Sequence, residues 1–224
     1  MTEQGKLYGV GVGPGDPELM TVKAVRILKG CDMIAIPQKD RDRCLALRIA
    51  VQAAPEIMDK PILALDMPMT RDKEVRERAF AVAAETLVKA LDAGKTVAFL
   101  TLGDPTIYST YGYLHQRVVN AGHPAEFVSG VPSFCAAAAA LGVSLCADGE
   151  PLHILPGGHA HGPGTRVFMK GSAAVVKGSL ADHDGPVLGA QNVGMPDQSL
   201  YMSREDIPDD TGYFTLIIAK EKEP

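Results

Sequence analysis

Several things are missing from this sequence, and each absence removes a class of function. No apolar run among the 224 residues approaches the ~20 that a membrane-spanning helix requires, so no membrane partner is expected. Cys31, Cys44, Cys135 and Cys146 contain no C-x-x-C pair, which argues against zinc and redox motifs and leaves four ordinary thiols; no metal site is expected. Positive charge is in deficit, with 22 Lys and Arg against 27 Asp and Glu and a formal charge of -5. A nucleic-acid partner held by bulk electrostatics is therefore not expected, although a local basic pocket is compatible with that balance. The stretch Met1 to Lys6 is short and polar, so no signal peptide is expected and a cytoplasmic enzyme fits.

A phosphate grip is missing too. Gly9 and Gly11 each invite a G-x-G-x-x-G reading, but the last glycine position falls on Pro14 in one frame and on Asp16 in the other. Pro14 has no N-H to offer a pyrophosphate, and Asp16 would repel one while capping backbone donors or holding a hydroxyl or ammonium group. Gly94-Lys95-Thr96 ends like a Walker loop, yet Lys89 stands where its first glycine must be.

What is present is a pair of punctuated corners, Gly11-Val12-Gly13-Pro14-Gly15-Asp16-Pro17 and Leu102-Gly103-Asp104-Pro105-Thr106-Ile107-Tyr108. Each follows a short apolar run and precedes a helical pattern, so both belong to the edge where open α/β sheets bind ligands. The periodicity predicts strands at Leu7 to Val12, Met33 to Ile36, Ile62 to Leu65 and Thr96 to Leu100. Helices are predicted after the first corner as far as Gly30, at Cys44 to Ala54, at Asp72 to Asp92, and at Ile107 to Asn120. Ala121-Gly122-His123-Pro124 is a strong stop signal, and the expected domains are 1–122 and 123–224, both α/β. The second half is richer in Gly, Pro and short β segments. It carries one small-residue helix, Ser133 to Leu141, which reads equally as a packed core helix or as a helix end facing a ligand. His159 and His161 sit in a Gly/Pro loop and lack a third ligand, so a polar loop is the expected reading.

Four segments, in order, resemble the tetrapyrrole (corrin and porphyrin) methyltransferase family: Val10 to Leu19, Thr101 to Tyr108, Gly130-Val131-Pro132-Ser133 and, more weakly, Pro196-Asp197-Gln198. Tyr108 to Leu114, Ser133 to Ala138 and Gly149 to Pro156 further resemble the branch that methylates C20 of precorrin-2, in the version that acts on cobalt-precorrin-2. The resemblance implies two α/β domains with S-adenosylmethionine in a cleft between them, a tetrapyrrole substrate, and a homodimer. By position it implies cofactor contacts from Pro14, Leu102, Gly103, Asp104, Ile107, Ser133, Phe134, Met169 or Lys170, Val193, and Phe214 or Thr215. Asp104 would hold a ribose hydroxyl or the amino group, or else cap the next helix.

Methyl transfer from a sulfonium needs alignment more than acid-base help. Tyr108 and Tyr111 are the side chains expected to orient the macrocycle or relay the departing proton, with aromatic packing as the alternative for either. Lys23, Lys39, Arg41 and Arg43 are the cations that could meet substrate carboxylates, with a solvated surface charge as the alternative for each. The chain departs from the family after Pro156, where a Gly/His/Pro loop replaces a charged helical segment. A methylase acting on another carbon or acceptor, and a non-catalytic tetrapyrrole carrier, are the competing functions.

Overall fold

Five apolar runs become the strands β1 (Leu7–Gly11), β2 (Met33–Ile36), β3 (Ile62–Ala64), β4 (Val97–Thr101) and β5 (Ala125–Val128) of one parallel sheet, in the order β3-β2-β4-β1-β5. The computed structural model describes residues 4–70, 72–157 and 162–221. Contacts divide the chain into two units, Met1–Pro132 and Ser133–Pro224. β5 follows the Gly122 stop and pairs in register with β1, so the first sheet extends past residue 122.

Both faces of this sheet are covered, which is why β1 and β4 read as near-continuous apolar runs rather than alternating ones. On one face α1 (Val22–Gly30) and α2 (Leu45–Ala53) pack Ala24, Leu28, Leu47 and Ile49 against Val10, Ile34 and Leu100. On the other, α3 (Lys73–Asp92) and α4 (Tyr111–Asn120) pack Phe80, Leu87, Tyr111 and Leu114 against Leu7, Val97 and Phe99. The helix starts are chemically marked. Thr21 Oγ1 accepts from Ala24 N at 3.1 Å, and Asp72 Oδ1 accepts from Glu74 N and Val75 N at 2.9 and 3.1 Å. Adjacent strands β1 and β4 thus feed helices on opposite faces, and the crevice beyond their carboxyl ends is the topological switch point where such sheets take ligands.

The helix expected from Ile107 begins only at Tyr111. Tyr108 adopts φ 48, a left-handed conformation that interrupts helix propagation. Ser109 Oγ then accepts from Tyr111 N at 3.2 Å, just ahead of Thr110, the N-cap residue, whose own side chain makes no capping hydrogen bond.

The second unit holds a mixed sheet in the order β6-β7-β10-β8-β9, from β6 (Leu152–Pro156), β7 (Thr165–Met169), β8 (Val187–Gln191), β9 (Ser199–Tyr201) and β10 (Thr215–Ala219). Only the β6–β7 pairing is parallel. Of its helices, α5 (Ser133–Leu141) packs on β8 and α6 (Ala173–Ser179) on β10. Phe168, Val176, Leu180, Ile207 and Ile217 form its core.

Candidate functional site

At the carboxyl ends of β1 and β4 the two corners meet through backbone alone. Gly103 N donates to Gly13 O at 2.8 Å and Gly13 N to Gly103 O at 3.4 Å. Both glycines have positive φ, 75 for Gly13 and 65 for Gly103. The loop after β5 closes over the same point. A Cβ on Gly130 would lie 2.2 Å from Gly103 O, and one on Gly11 2.5 Å from it, so only glycines allow this approach.

Around the corner Pro14 is buried and Leu102 and Ile107 are half-buried. Asp16 Oδ1 accepts from Glu18 N at 2.8 Å and caps the short Pro17–Leu19 turn, so its carboxylate is engaged in local structure. Asp104 is 8% exposed. Its Oδ2 accepts from Gly130 N at 3.0 Å, and its Oδ1 accepts from Thr106 N at 2.8 Å and from the Thr106 hydroxyl. It does not cap α4, which starts seven residues later.

The two tyrosines separate. Tyr108 is 44% exposed, on its left-handed backbone at the corner. Tyr111 is fully buried, and its hydroxyl donates to Glu126 O at 2.8 Å. Its ring packs edge-on to Phe127 and lies so close to Gly9 that a Cβ there would come within 2.2 Å of it. Desolvation pushes its hydroxyl pKa well up. The ring of Tyr111 thus lies inside the core of the first unit, with its hydroxyl held by a backbone carbonyl.

Of the four candidate cations, Lys23 meets Glu126 at 2.6 Å and Lys39 meets Asp66 at 2.7 Å, while Arg41 and Arg43 are exposed on the loop beyond β2. Lys6 joins Lys23 on Glu126, and the two ammonium groups hold that carboxyl at about 2, against an ordinary 4.5. This pairing takes Lys23 out of the group of unengaged cations.

In the second unit the expected residues fall largely on one sheet edge. Antiparallel pairing puts the end of β7, the end of β8 and the start of β10 side by side: Leu216 pairs with Met169 and Thr215 with Gln191, and Asn192 N donates to Phe214 O at 3.1 Å. Met169, Lys170, Val193, Phe214 and Thr215 lie along this edge, and the end of β6 joins it where Gly157 N donates to Met169 O at 3.0 Å. Thr215 Oγ1 is buried with no hydrogen-bond partner among the described residues. An orphaned hydroxyl of this kind calls for a further donor or acceptor. Lys170 is an exposed residue overall, yet partial desolvation draws its ammonium pKa down. Ser133 opens α5 half-buried, and Phe134 after it is 5% exposed. His159 and His161 lie outside the described residues.

Left-handed backbone at residues other than glycine marks these places. Among the described residues it occurs at Tyr108, Lys170 and Asn192, with φ 48, 59 and 52. Each is one of the expected site residues or lies next to one. Asn192 and Thr106 escaped the sequence reading. Asn192 Nδ2 donates to Asp197 at 2.7 Å, and Gln198 Oε1 accepts from Gly194 N at 2.9 Å. The Pro196-Asp197-Gln198 segment therefore holds the turn that carries Val193. The signals were Asn-x-Gly before Asp197 and Thr two residues past Asp104.

The donor set suits a ligand without phosphate. The corner offers backbone groups and apolar walls, Pro14 contributes no N-H, and among the described residues no cluster of His, Cys, Asp and Glu could hold a metal ion. Cys31 and Cys44 are buried, and burial raises the pKa of both thiols.

Comparison with known proteins agrees with this picture. A "Probable cobalt-precorrin-2 C(20)-methyltransferase" of Methanocaldococcus jannaschii is 40% identical over 154 residues, 68% of this chain and 64% of that protein. The match thus spans just under two thirds of that relative's length. A precorrin-2 C(20)-methyltransferase of Sinorhizobium is 31% identical over 96% of this chain and 94% of its own. The uroporphyrin-III C-methyltransferase of Thermus thermophilus complexed with S-adenosylhomocysteine superposes with a TM-score of 0.67 at 23% identity, covering 96% of this chain and 97% of that one, and shares the fold. Residues 6–207 match the model of the Tetrapyrrole (Corrin/Porphyrin) Methylases, and the chain belongs to that family.

Proposed function

We propose that this protein is an enzyme that transfers a methyl group from S-adenosylmethionine to C20 of precorrin-2 or its cobalt complex, in corrin ring biosynthesis. The observation that carries the reading is the Gly13–Gly103 corner, two loops joined by backbone hydrogen bonds at the switch point of the sheet, in a chain of this family. The names of the Methanocaldococcus and Sinorhizobium relatives support the choice of carbon, and the S-adenosylhomocysteine in the Thermus structure supports the choice of cofactor.

In the first unit the residues proposed to hold the cofactor are Pro14, Leu102, Gly103, Asp104 and Ile107. In the second they are Ser133, Phe134, Met169, Lys170, Val193, Phe214 and Thr215. The orphaned Thr215 hydroxyl fits a polar edge of the ligand, and the buried Pro14 and half-buried Leu102 and Ile107 fit its apolar surface. The cofactor, when bound, supplies a methyl group already activated on a sulfonium, so the chain's task is to fix the acceptor in line and exclude water. Tyr108, exposed beside the corner, orients the macrocycle, and its hydroxyl relays the proton lost from C20 to bulk water, giving up its own proton as it accepts that one. Arg41 and Arg43 are free to meet substrate carboxylates. The partner is a tetrapyrrole rather than a nucleic acid, in keeping with the charge of -5. A homodimer in the cytoplasm completes the proposal.

Titration calorimetry with S-adenosylhomocysteine, followed by incubation with S-adenosylmethionine and either form of precorrin-2, tests the reading. Binding and one added methyl group are expected. Failure to bind either cofactor form would favour the carrier function.

A further inference from the structure

The sheet of the second unit has a second end. The residues proposed for the cofactor lie where β7 and β8 finish and β10 begins, whereas Arg166, Ala219 and Val187 form a paired row at the opposite end of the same three strands. Three or four residues of strand separate that row from the cofactor edge by roughly 10–13 Å. Arg166 shares its face of the sheet with Phe168, two residues on, and so lies on the side that packs against α6.

Two half-buried side chains gather with Arg166 there: His183 from the loop after α6, and Arg204 from the segment after β9. Arg166 Nη2 meets His183 Nδ1 at 2.7 Å. A guanidinium can only donate, so Nδ1 accepts and the ring proton sits on Nε2. That Nε2 is buried with no hydrogen-bond partner among the described residues, and so is Nε of Arg166. Two N–H donors have therefore lost their water without a replacement, which folded proteins rarely tolerate. Arg204 donates to Ala181 O at 3.4 Å and to His183 O at 2.6 Å, and so ties down the loop that carries the histidine.

Charge singles out the same place. Lys177 in this unit is neutralised by Asp209 at 2.9 Å, but among the described residues neither Arg166 nor Arg204 forms an ion pair. Beside them opens a cleft of about 380 Å³, lined by His183, Ser203 and Arg204 and by the apolar Pro186, Val187 and Met202. That volume is at the lower end of the range for small-molecule sites. Glu205 also lines the cleft, and Asp182 and Asp184 flank the histidine in sequence; all three are exposed, where water screens their charge.

We infer that this cleft is a second binding site, for a small phosphate monoester. Two guanidiniums without a carboxylate match a group that carries about −1.5 to −2 at neutral pH, and arginine suits its oxygens better than any other cation. The buried N–H groups of His183 and Arg166 are the donors still unspent. Neither reaches solvent, so the His183 ring turns toward the cleft it lines when a phosphate oxygen takes Nε2–H, and the turn frees Arg166 Nη2 for the same guest. Pro186, Val187 and Met202 receive the body of the ester. The site is separate from the cofactor edge, and the inference does not depend on the proposed methyl transfer.

Phenyl phosphate, inorganic phosphate and propionate are titrated at neutral pH and constant ionic strength into isotope-labelled protein, with backbone amides and the His183 imidazole nitrogens followed by NMR. Phenyl phosphate is expected to give saturable shifts at His183 Nε2 and at the amides of Gly185 and Ser203. Inorganic phosphate should shift the same signals with several-fold weaker affinity, and propionate at least tenfold more weakly than phenyl phosphate. Arg166→Gln and Arg204→Gln should each weaken phenyl phosphate roughly tenfold. The absence of saturable shifts at His183, propionate binding as tightly as phenyl phosphate, or unchanged affinity in both arginine variants overturns the site. Inorganic phosphate binding as tightly as phenyl phosphate overturns the monoester, because the apolar wall then contributes nothing. The wild-type titrations need no substitution, so the test stands even if an arginine variant fails to fold.

Discussion

Replacing Tyr111 with Phe is expected to cost stability and leave catalysis alone. Tyr111 is fully buried, and its hydroxyl donates to Glu126 O at 2.8 Å. Phe keeps the ring against Gly9 and Phe127, so the loss is one buried hydrogen bond together with a carbonyl left without that partner, about 1–2 kcal/mol. Tyr111→Ala removes the whole ring, which nothing nearby can replace, and should cost about 3–5 kcal/mol. Urea unfolding followed by circular dichroism measures these losses, and methyl-transfer rates on the same preparations measure catalysis. Tyr111→Phe should lower the midpoint at unchanged slope and keep its turnover. There is also an alkaline signature. Because burial raises the pKa of the folded Tyr111 hydroxyl, its contribution is intact below the unfolded value of 10.0 and is lost as pH climbs above it; Tyr111→Phe removes that loss. A Phe variant with unchanged stability but greatly reduced turnover would refute the packing role and return Tyr111 to the chemistry.

Tyr108→Phe is the counterpart: turnover should fall while the unfolding midpoint hardly moves, and wild-type turnover would remove the hydroxyl from proton transfer. Gly130→Ala drives a Cβ to 2.2 Å from Gly103 O, a backbone atom that cannot step aside, and should cost about 3 kcal/mol and abolish calorimetric binding of S-adenosylhomocysteine. Glu126 is held at about 2 by Lys23 and Lys6, so its contribution is present above pH 4.5 and fades as pH falls towards 2. With 36% of its side chain exposed, that contribution is worth no more than about 1 kcal/mol, and Glu126→Gln should flatten stability across that acid range in urea titrations at stepped pH. Lys170→Gly relieves a left-handed backbone at φ 59 and should raise the thermal midpoint while weakening calorimetric cofactor binding; unchanged affinity would place Lys170 outside the site.

The corners were legible because their chemistry is local. Glycine for positive φ, proline to set the turn and an apolar strand before it can all be read within ten residues, and Gly13 and Gly103 stand where that reading puts them. The strands of the first sheet were legible because burial on both faces removes polar alternation. What was not legible depends on distant partners. Asp104 takes one of its donors from Gly130, 26 residues away, a partner that no local pattern announces. The depth at which Tyr111 is buried depends on Gly9, which provides the flat space beneath its ring. The late start of α4 turns on the strained Tyr108 and on Ser109, whose hydroxyl both accepts from Tyr111 N and pairs with Thr101 Oγ1 at 3.0 Å. β5 joins the first sheet because its register matches β1, a match that no stop signal at Gly122 reveals.

The most direct measurement follows the methyl group itself. The protein is incubated with S-adenosylmethionine carrying a carbon-13 methyl and with precorrin-2 or its cobalt complex, and the label is located in the product by NMR. The expected result is a single labelled methyl at C20. Label at any other carbon, or an unlabelled macrocycle from a protein that binds the cofactor, would contradict the assignment.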